Sequence, residues 1–268
     1  PPILESFTQR SQGFFLCVGP VGQGKSTTLA AMVNTINKTR AEHIVTIEDP
    51  IEYRQPGILQ TAVNHETGYT FVTALRALLR QNPNIIMLGE IRDAETAKVS
   101  MQAAATGHLL LSTLHTNDSV SALLRLQDLG ISLTDSSTFV NAIIAQRIVR
   151  TLPENCRVER PLTDAEKEHF KTILPERHHN KIPEVVYDSN PTPQCPQGYK
   201  GLTAIYEIFT IDTELAKIIP SMQVVSDIKD KAIEKGMDSL EIAGILKVFE
   251  GQTDFAEVER VLGTKLLP

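Results

Sequence analysis

Four short runs of apolar residues in the first 150 positions are continuous rather than alternating. They lie at residues 14–18, 43–47, 85–88 and 109–111. Continuous runs of this length are typical of strands that are buried on both faces of a parallel sheet. The segments between them have helical patterns with recognisable ends: Asp93 and Thr70 are placed to cap helices, and Gly107 and Pro83 to end them. The pattern therefore predicts an α/β fold in which helices cover a parallel sheet.

The second half of the chain has a different composition. Residues 153–197 contain no glycine but seven of the fifteen prolines, and the pattern of Thr163 with Glu166 predicts a helix there. After Gly201 the sequence predicts one strand and then small helices, two of them opened by Asp238 and Asp254. We therefore divide the chain into a core at residues 1–152, a proline-rich excursion at 153–200, and a last strand with a mostly helical C-terminal region at 201–268.

Charge and composition exclude several classes of protein. The 268 residues carry 26 basic and 32 acidic side chains, a net charge of −6, which favours neither nucleic acid nor anionic lipid as a partner. No apolar run approaches the roughly 18 residues of a membrane span, and the first residues lack the pattern of a signal peptide. Three widely spaced cysteines argue against a disulfide framework and for a reducing compartment. We expect a cytoplasmic protein.

A complete phosphate-binding loop follows the first predicted strand and opens the next helix. Its residues are Gly19, Pro20, Val21, Gly22, Gln23, Gly24, Lys25 and Ser26, with Thr27 directly after them. Such a loop wraps backbone N–H groups around phosphate oxygens at a helix N-terminus. Lys25 then supplies a positive charge between the β- and γ-phosphates, and Ser26 offers its hydroxyl to Mg²⁺. A glycine-rich turn that binds nothing is the alternative, and the strand before and helix after the loop argue against it.

Three other predicted strands end in polar residues of the kind that a nucleotide site needs. Glu48 and Glu52 follow the second run, Glu90 follows the third, and His115 follows the fourth. Ligands of open parallel sheets bind outside the carboxyl ends of the strands, so we expect these side chains at the same edge as the phosphate-binding loop. Many P-loop enzymes have an aspartate where Gly89 stands. The Mg²⁺ ion is therefore assigned to Ser26, with Glu90 acting on it through water.

Taken together, these motifs resemble a known family. The phosphate-binding loop and residues 46–52, 89–96 and 107–116 are similar, in order and spacing, to the Walker A, Asp, Walker B and His boxes of the type II secretion and type IV pilus assembly ATPases. Residues 198–201 and 204–207 resemble the assembly branch (GspE/PilB type) rather than the retraction branch (PilT type). The resemblance implies a RecA-like P-loop NTPase core followed by a mostly helical C-terminal region.

The resemblance also implies roles for individual residues. Glu90 matches the glutamate that activates the attacking water, Glu48 and Glu52 match acids that arrange water and metal, and His115 matches a sensor of the γ-phosphate. Three arginines match residues that act near a subunit boundary: Arg76, Arg80 and Arg92. Arg76 and Arg80, four residues apart, are expected to share one helix face.

On the scale of the whole machine, the resemblance implies a homo-hexamer that hydrolyses ATP with Mg²⁺. This motor drives pilus assembly or secretion through an inner-membrane platform protein. It would be peripheral at the inner membrane through its partners, and it would bind no nucleic acid.

The sequence departs from the family pattern in three places. Asn82-Pro83-Asn84 replaces a more acidic segment, and Cys156 and Cys195 each lack the second cysteine of a Cys-x-x-Cys pair. A mixed site with the histidines at 169, 178 and 179 matches no standard zinc spacing, so we expect no zinc. The family also places a further domain before the phosphate-binding strand. Without it, the alternative is a nucleotide-binding module or fragment that binds ATP without turnover. A small-molecule kinase and a nucleic-acid motor of RecA type are weaker alternatives.

Overall fold

Seven strands form one sheet in the computed structural model, which describes residues 1–222 and 224–268. The strands of this sheet are β1 (Gly13–Val18), β2 (Ile44–Glu48), β3 (Leu59–Ala62), β4 (Ile85–Leu88), β5 (Leu109–Leu114), β6 (Val140–Arg150) and β9 (Leu202–Thr210). Their order is β3-β2-β4-β5-β1-β6-β9. From β3 across to β6, each neighbouring pair is parallel. The predicted α/β fold with a parallel sheet is confirmed.

Two strands of the sheet were not predicted. β3 lies at the edge of the sheet and its residues are exposed or half-buried, so it has no continuous apolar run. The apolar pattern of β6 is interrupted by Asn141, Gln146 and Arg147, although both Gln146 and Arg147 are buried. In both strands, how far the side chains are exposed depends on the position of the strand in the sheet rather than on the local sequence.

Eleven α-helices lie within the described residues. They are α1 (Pro2–Thr8), α2 (Lys25–Thr39), α3 (Phe71–Leu78), α4 (Ala94–Ala105), α5 (Ser121–Asp128), α6 (Leu133–Phe139), α7 (Asp164–Ile173), α8 (Thr213–Ile218), α9 (Val225–Glu234), α10 (Leu240–Phe249) and α11 (Phe255–Leu262). None of the described helices combines the length and the apolar composition needed to cross a membrane.

The chain divides into two units. One comprises residues 1–145 and 208–237, and the other comprises residues 146–207 and 238–268. From its composition we divided the sequence into three segments, with boundaries at residues 152 and 200. That division stays a prediction.

Side-chain caps fix several of the helix starts. Thr70 and Asp93 accept hydrogen bonds from the third backbone N–H of α3 and α4, as predicted. Asp254 caps α11 in the same way. The predicted cap at Asp238 is wrong, because Ser239 caps α10 and the Asp238 carboxylate binds the ring of His178 instead.

The core of the first unit is built on β1. Phe14 to Val18 are at most 1% exposed, and Phe7 of α1 stacks on Phe15 with ring centroids 4.7 Å apart. Cys17 is buried in this strand, and burial raises the pKa of its thiol to about 12. An uncharged thiol in such a place behaves as a small apolar side chain.

An aromatic cluster organises the core of the second unit. Phe170 of α7 is fully buried, stacks on Phe255 of α11 and meets Phe249 of α10 edge to face, with both centroid distances 5.3 Å. The second unit also holds an antiparallel pair, β7 (Arg157–Pro161) with β8 (Val185–Ser189). The sequence predicts α7 but neither strand, because charged residues interrupt both segments and Pro161 ends the first.

A buried carboxylate joins three segments of the second unit. Glu257 of α11 is fully buried and receives hydrogen bonds from the backbone N–H and the guanidinium of Arg150, and from the guanidinium of Arg260. The Arg150 guanidinium also lies 4.0 Å from the ring centre of Tyr199, whose hydroxyl donates to Asp254 at 2.8 Å. The network therefore ties the end of β6 and the loop at Tyr199 to α11.

Cys156 and Cys195 of the second unit are paired as a disulfide, a contact that the cysteine spacing did not predict. The two segments meet because the backbone N–H of Asn190 donates to the carbonyl of Cys156, which places the following turn beside it. The three histidines bind elsewhere: His169 to Leu266, His178 to Asp238 and His179 to Leu174. Across residues 1–222 and 224–268, no three His, Cys, Asp or Glu side chains are grouped as metal ligands.

Candidate active site

The phosphate-binding loop connects β1 to α2 as the motif predicts. Gly24 is the N-cap of α2 with a φ of +73°, and Gly22 has a φ of +79°. Both values lie in the left-handed region, where a side chain is strained and glycine is not. These two glycines therefore let the backbone turn sharply before the helix begins, and the first turn of α2 is presented to the pocket.

The Lys25 side chain lies across this loop. The residue is 8% exposed, and its ammonium donates hydrogen bonds of 2.8 Å to the carbonyls of Gly19 and Pro20. Ser26 and Thr27, by contrast, are exposed at the start of α2 and line the pocket. The loop thus brings one fixed cation and two hydroxyls to the same opening.

Glu48 is the last residue of β2 and is 8% exposed. Its Oε1 accepts hydrogen bonds from the Thr46 hydroxyl at 2.6 Å and from the Gln60 amide at 3.1 Å. Both donors are uncharged. Within the described residues no ion pair involves this carboxylate, and it lines the pocket.

Glu90 follows β4 and stands between two basic side chains. Its Oε1 forms an ion pair with the Arg92 guanidinium, and its Oε2 lies 3.5 Å from Nε2 of His115, which follows β5. The Glu90 side chain is 13% exposed, whereas those of Arg92 and His115 are 59% and 46% exposed. The hydrogen bond to Glu90 raises the pKa of Arg92 above its ordinary value.

These groups line one pocket of about 450 Å³ in the first unit. It brings together every residue from Val21 to Thr27 with the predicted acids and the predicted sensor. Its further lining residues are Glu48, Asp49, Pro50, Glu52, Phe71, Met87, Gly89, Glu90, Arg92, Thr113 and His115. The prediction that three strand ends and the phosphate-binding loop meet at one edge therefore holds in the geometry.

The backbone at Gly89, where many P-loop enzymes have an aspartate, packs closely against β2. A Cβ at this position would lie 3.2 Å from the Ile47 carbonyl oxygen and 3.5 Å from the Glu48 Cα. The Gly89 N–H donates to that same Ile47 carbonyl, and its own carbonyl accepts from the Thr113 hydroxyl. The backbone is therefore packed tightly against β2, and the first acidic side chain after β4 is that of Glu90.

Two predicted arginines lie outside this pocket. Arg76 pairs with Glu95 at 3.0 Å on the surface, and Arg80 is exposed. Helix α3 ends at Leu78 and Arg80 lies in the 3-10 turn that continues from it, so the shared helix face of the two arginines stays a prediction. Arg80 does not line the pocket of its own chain, so its catalytic role stays a prediction.

Several residues of the site were missed from the sequence. Thr113, Phe71 and Met87 line the pocket, and Thr46 and Gln60 hold Glu48. Thr113 carried a usable signal, because it precedes His115 by two positions and such residues share a face of a strand. Thr46 lies within residues 46–52, the segment that resembles the Asp box, whereas Phe71, Met87 and Gln60 carry no motif and only the folded chain brings them to the site.

Comparison with known proteins places the chain among secretion and pilus proteins. A family model described as type II/IV secretion system protein matches residues 2–260. The chain is 41% identical over 259 residues to the type II secretion system protein E of Aeromonas hydrophila, covering 97% of this chain and 50% of that protein. It is 40% identical over 259 residues to the type IV pilus assembly ATPase TfpB of Acinetobacter baylyi, covering 96% and 43% respectively. The chain thus spans about half the length of the curated relatives it matches.

Solved structures agree on the fold. The crystal structure of the pilus retraction motor PilT with bound ADP superposes with a TM-score of 0.72 at 26% identity, covering 97% of this chain and 64% of that chain. The ATPase DotB of Legionella pneumophila gives a TM-score of 0.70 at 20% identity and supports the fold alone. The predicted P-loop ATPase fold and the resemblance to secretion and pilus assembly ATPases are confirmed. The chain belongs to the type II/IV secretion system protein family.

Proposed function

We propose that this chain hydrolyses ATP as part of a motor that powers type IV pilus assembly or type II secretion. The observation that carries the proposal is the single pocket that unites the phosphate-binding loop with Glu48, Glu90 and His115. The names of the relatives, and the ADP bound to the PilT neighbour, support a nucleotide in this pocket.

Binding of the triphosphate is assigned to the phosphate-binding loop. The backbone N–H groups that start α2 and the ammonium of Lys25 supply positive potential at one point, where phosphate oxygens are favoured. A bound phosphate competes with the Gly19 and Pro20 carbonyls for the Lys25 ammonium. Thr27, next along the helix, adds a hydroxyl at the pocket wall.

The donor set also fits Mg²⁺. The Ser26 hydroxyl and the carboxylates of Glu48 and Glu90 all line the pocket, and oxygen ligands with retained waters are what this ion prefers. Ser26 would hold the ion, and Glu90 would act on it through water. When bound, Mg²⁺ would neutralise part of the negative charge of the phosphates.

Glu90 is the residue assigned to the attacking water. Its carboxylate is nearly buried, lies at the same edge as Lys25, and can accept a proton or orient a water by hydrogen bonding. Arg92 occupies one of its oxygens and His115 lies beside the other. We propose that Arg92 leaves Glu90 for the phosphate, where its charge stabilises the transition state, and that His115 detects the same phosphate.

The wider assembly follows from the family. We propose a homo-hexamer at the cytoplasmic face of the inner membrane that acts on a platform protein and binds no nucleic acid. The exposed Arg80, and Arg76 beside it, are then available to the nucleotide site of a neighbouring subunit. An arginine supplied in this way stabilises the charge that spreads over the transferred phosphoryl group.

The test is ATPase activity measured against protein concentration, together with thermal shift in Mg-ATP. Lys25→Ala removes the charge from the phosphate site and serves as the blank. Glu90→Gln keeps the shape of the side chain, so it should bind nucleotide and lose turnover. Nucleotide at a hundred times its dissociation constant stabilises the folded chain by about 2.7 kcal/mol.

Activity that rises steeply with concentration and is absent from both variants supports a motor whose sites are completed between subunits. A thermal shift without turnover at any concentration would instead establish the alternative, a module that binds ATP without hydrolysing it. Turnover by Glu90→Gln at the parental rate would refute the catalytic assignment.

A further inference from the structure

We infer that Gln60 is a positioning residue of this site, which holds the Glu48 carboxylate in one orientation and couples it to the phosphate-binding helix. The inference rests on the proposed function. Gln60 lies on β3, outside the phosphate-binding loop and the strand ends that carry Glu90 and His115. Its role follows from the hydrogen bonds that its amide makes.

The Gln60 amide uses both of its polar atoms. Nε2 donates to Oε1 of Glu48 at 3.1 Å and to the backbone carbonyl of Tyr53 at 2.9 Å. Oε1 of Gln60 accepts from the backbone N–H of Gln55 at 2.7 Å. Both N–H groups and the oxygen of the amide are engaged, so the side chain is fixed in position and in orientation.

The bond to Glu48 selects one carboxylate oxygen. The Thr46 hydroxyl donates to the same Oε1 at 2.6 Å, so both neighbours hold the same side of the group. Two neutral donors orient the carboxylate while leaving its charge in place, whereas a lysine or arginine would neutralise it. The other oxygen stays available to the pocket that Glu48 lines.

The two backbone bonds of Gln60 reach the loop that follows Glu48, and this loop is attached to α2. The Tyr53 hydroxyl lies 3.1 Å from the Thr27 hydroxyl, and the side-chain amide of Gln55 donates to the carbonyl of Ala30 at 2.9 Å. A continuous path of hydrogen bonds therefore runs from the first turns of α2, through residues 53–55 and Gln60, to Glu48.

Glutamine is the side chain that this geometry requires. A methionine of similar length has no donor and only a weakly accepting sulfur, so it releases the carboxylate and the loop together. A glutamate keeps the length but loses both N–H groups, and it places a second negative charge against Glu48. That charge is relieved when the two carboxyl groups share a proton, and the shared proton restores one hydrogen bond to Glu48.

The experiment compares Gln60→Met and Gln60→Glu with the parent, and Gln127→Met on the exposed surface of α5 is the matched control. Three quantities are measured: the turnover number from about pH 8 to about pH 5.5, the dissociation constant of ADP without metal, and the Mn²⁺ affinity of the ADP complex by electron paramagnetic resonance. Loss of the bond that orients the metal-arranging acid should lower turnover and Mn²⁺ affinity by about tenfold in Gln60→Met. Metal-free ADP affinity should stay within about threefold, because the phosphate-binding loop itself is intact.

The pH profile separates positioning from a general structural role. For Gln60→Glu, activity relative to the parent should rise as the pH falls, while the ratio for Gln60→Met stays flat. Equal Mn²⁺ affinity in Gln60→Met and the parent would overturn the inference. If Gln60→Met does not fold, the pH profile of Gln60→Glu tests the inference instead. An activity ratio of Gln60→Glu to the parent that does not change with pH overturns the inference. If the parent hydrolyses no ATP, the proposed function fails, and the Mn²⁺ titration still decides the role of Gln60.

Discussion

Replacing Glu257 by glutamine should destabilise the second unit, because it removes a fully buried negative charge from between two arginines. The substitution keeps the volume and planar shape of the side chain, so packing in α11 is retained. An amide cannot accept the paired N–H groups of Arg150 and Arg260 on both sides, since one of its atoms is itself a donor. The variant therefore isolates the electrostatic contribution of the carboxylate.

The magnitude follows from the ionisation of Glu257. Burial by itself raises the pKa of this carboxyl, but hydrogen bonds from Arg260 and Arg150 outweigh burial and lower the pKa from 4.5 to about 2. Each unit of difference in pKa between the unfolded and folded states corresponds to about 1.4 kcal/mol, so the charge stabilises the folded chain by about 3 kcal/mol at neutral pH.

The pH dependence has a definite sign. Because the folded pKa is the lower one, the stabilisation is fully present above pH 4.5 and is lost as the pH falls from there through about 2. The contribution should still be about 3 kcal/mol at pH 4.5 and should fall to about half of that at pH 3. The difference in unfolding free energy between the parent and Glu257→Gln should therefore be about half as large at pH 3 as at pH 4.5.

Urea unfolding followed by circular dichroism at several pH values measures this difference directly. Glu168→Gln on α7 is the matched control, since it removes the same charge from an exposed carboxylate that pairs with Lys171. An exposed pair of this kind contributes about 0–1 kcal/mol. The reasoning would be refuted by a Glu257→Gln variant no less stable than Glu168→Gln, or by a loss at pH 3 as large as at pH 7.

Two further substitutions test the aromatic core and the ion pair of the site. Phe170→Ala should cost about 3–5 kcal/mol of unfolding free energy, because Phe170 is fully buried against two other phenylalanines. Ile173→Ala at a partly exposed position of the same helix should cost much less in the same urea assay, and equal losses would contradict the assigned packing. Arg92→Ala should reduce ATP turnover by more than about tenfold while nucleotide binding, measured by thermal shift, is retained. Arg125→Ala on the exposed face of α5 is its control, and a parental rate in Arg92→Ala would show that Arg92 only shields Glu90.

The sequence predicts the part of the site that is encoded locally. The phosphate-binding loop is a contiguous motif, and Glu90 and His115 each follow an apolar run directly. Their position at one edge is a consequence of parallel strands, whose carboxyl ends meet. For these residues, the local sequence pattern and the topology of a parallel sheet were sufficient to predict where the side chains lie.

What the sequence did not predict depends on contacts between distant positions. The disulfide of Cys156 with Cys195 spans 39 residues, and the bond between the Arg150 and Glu257 side chains spans 107. Asp238 has the spacing of a helix cap, yet it binds His178 sixty positions away and leaves the cap to Ser239. A charged side chain has several possible partners in a sequence, and only the fold selects among them.

The order of the strands in the sheet sets the distances between the groups of the site. β1, β5, β4 and β2 are consecutive neighbours, and they end respectively in the phosphate-binding loop, His115, Glu90 and Glu48. Neighbouring strands lie about 4.8 Å apart, so these four groups are spread over about 14 Å. A slip of one residue along any of these strands would move its group by about 3.3 Å and turn its side chain to the opposite face. The backbone hydrogen bonds between buried strands thus set the distances between the reacting groups, which makes the register of the sheet as important to the chemistry as the side chains themselves.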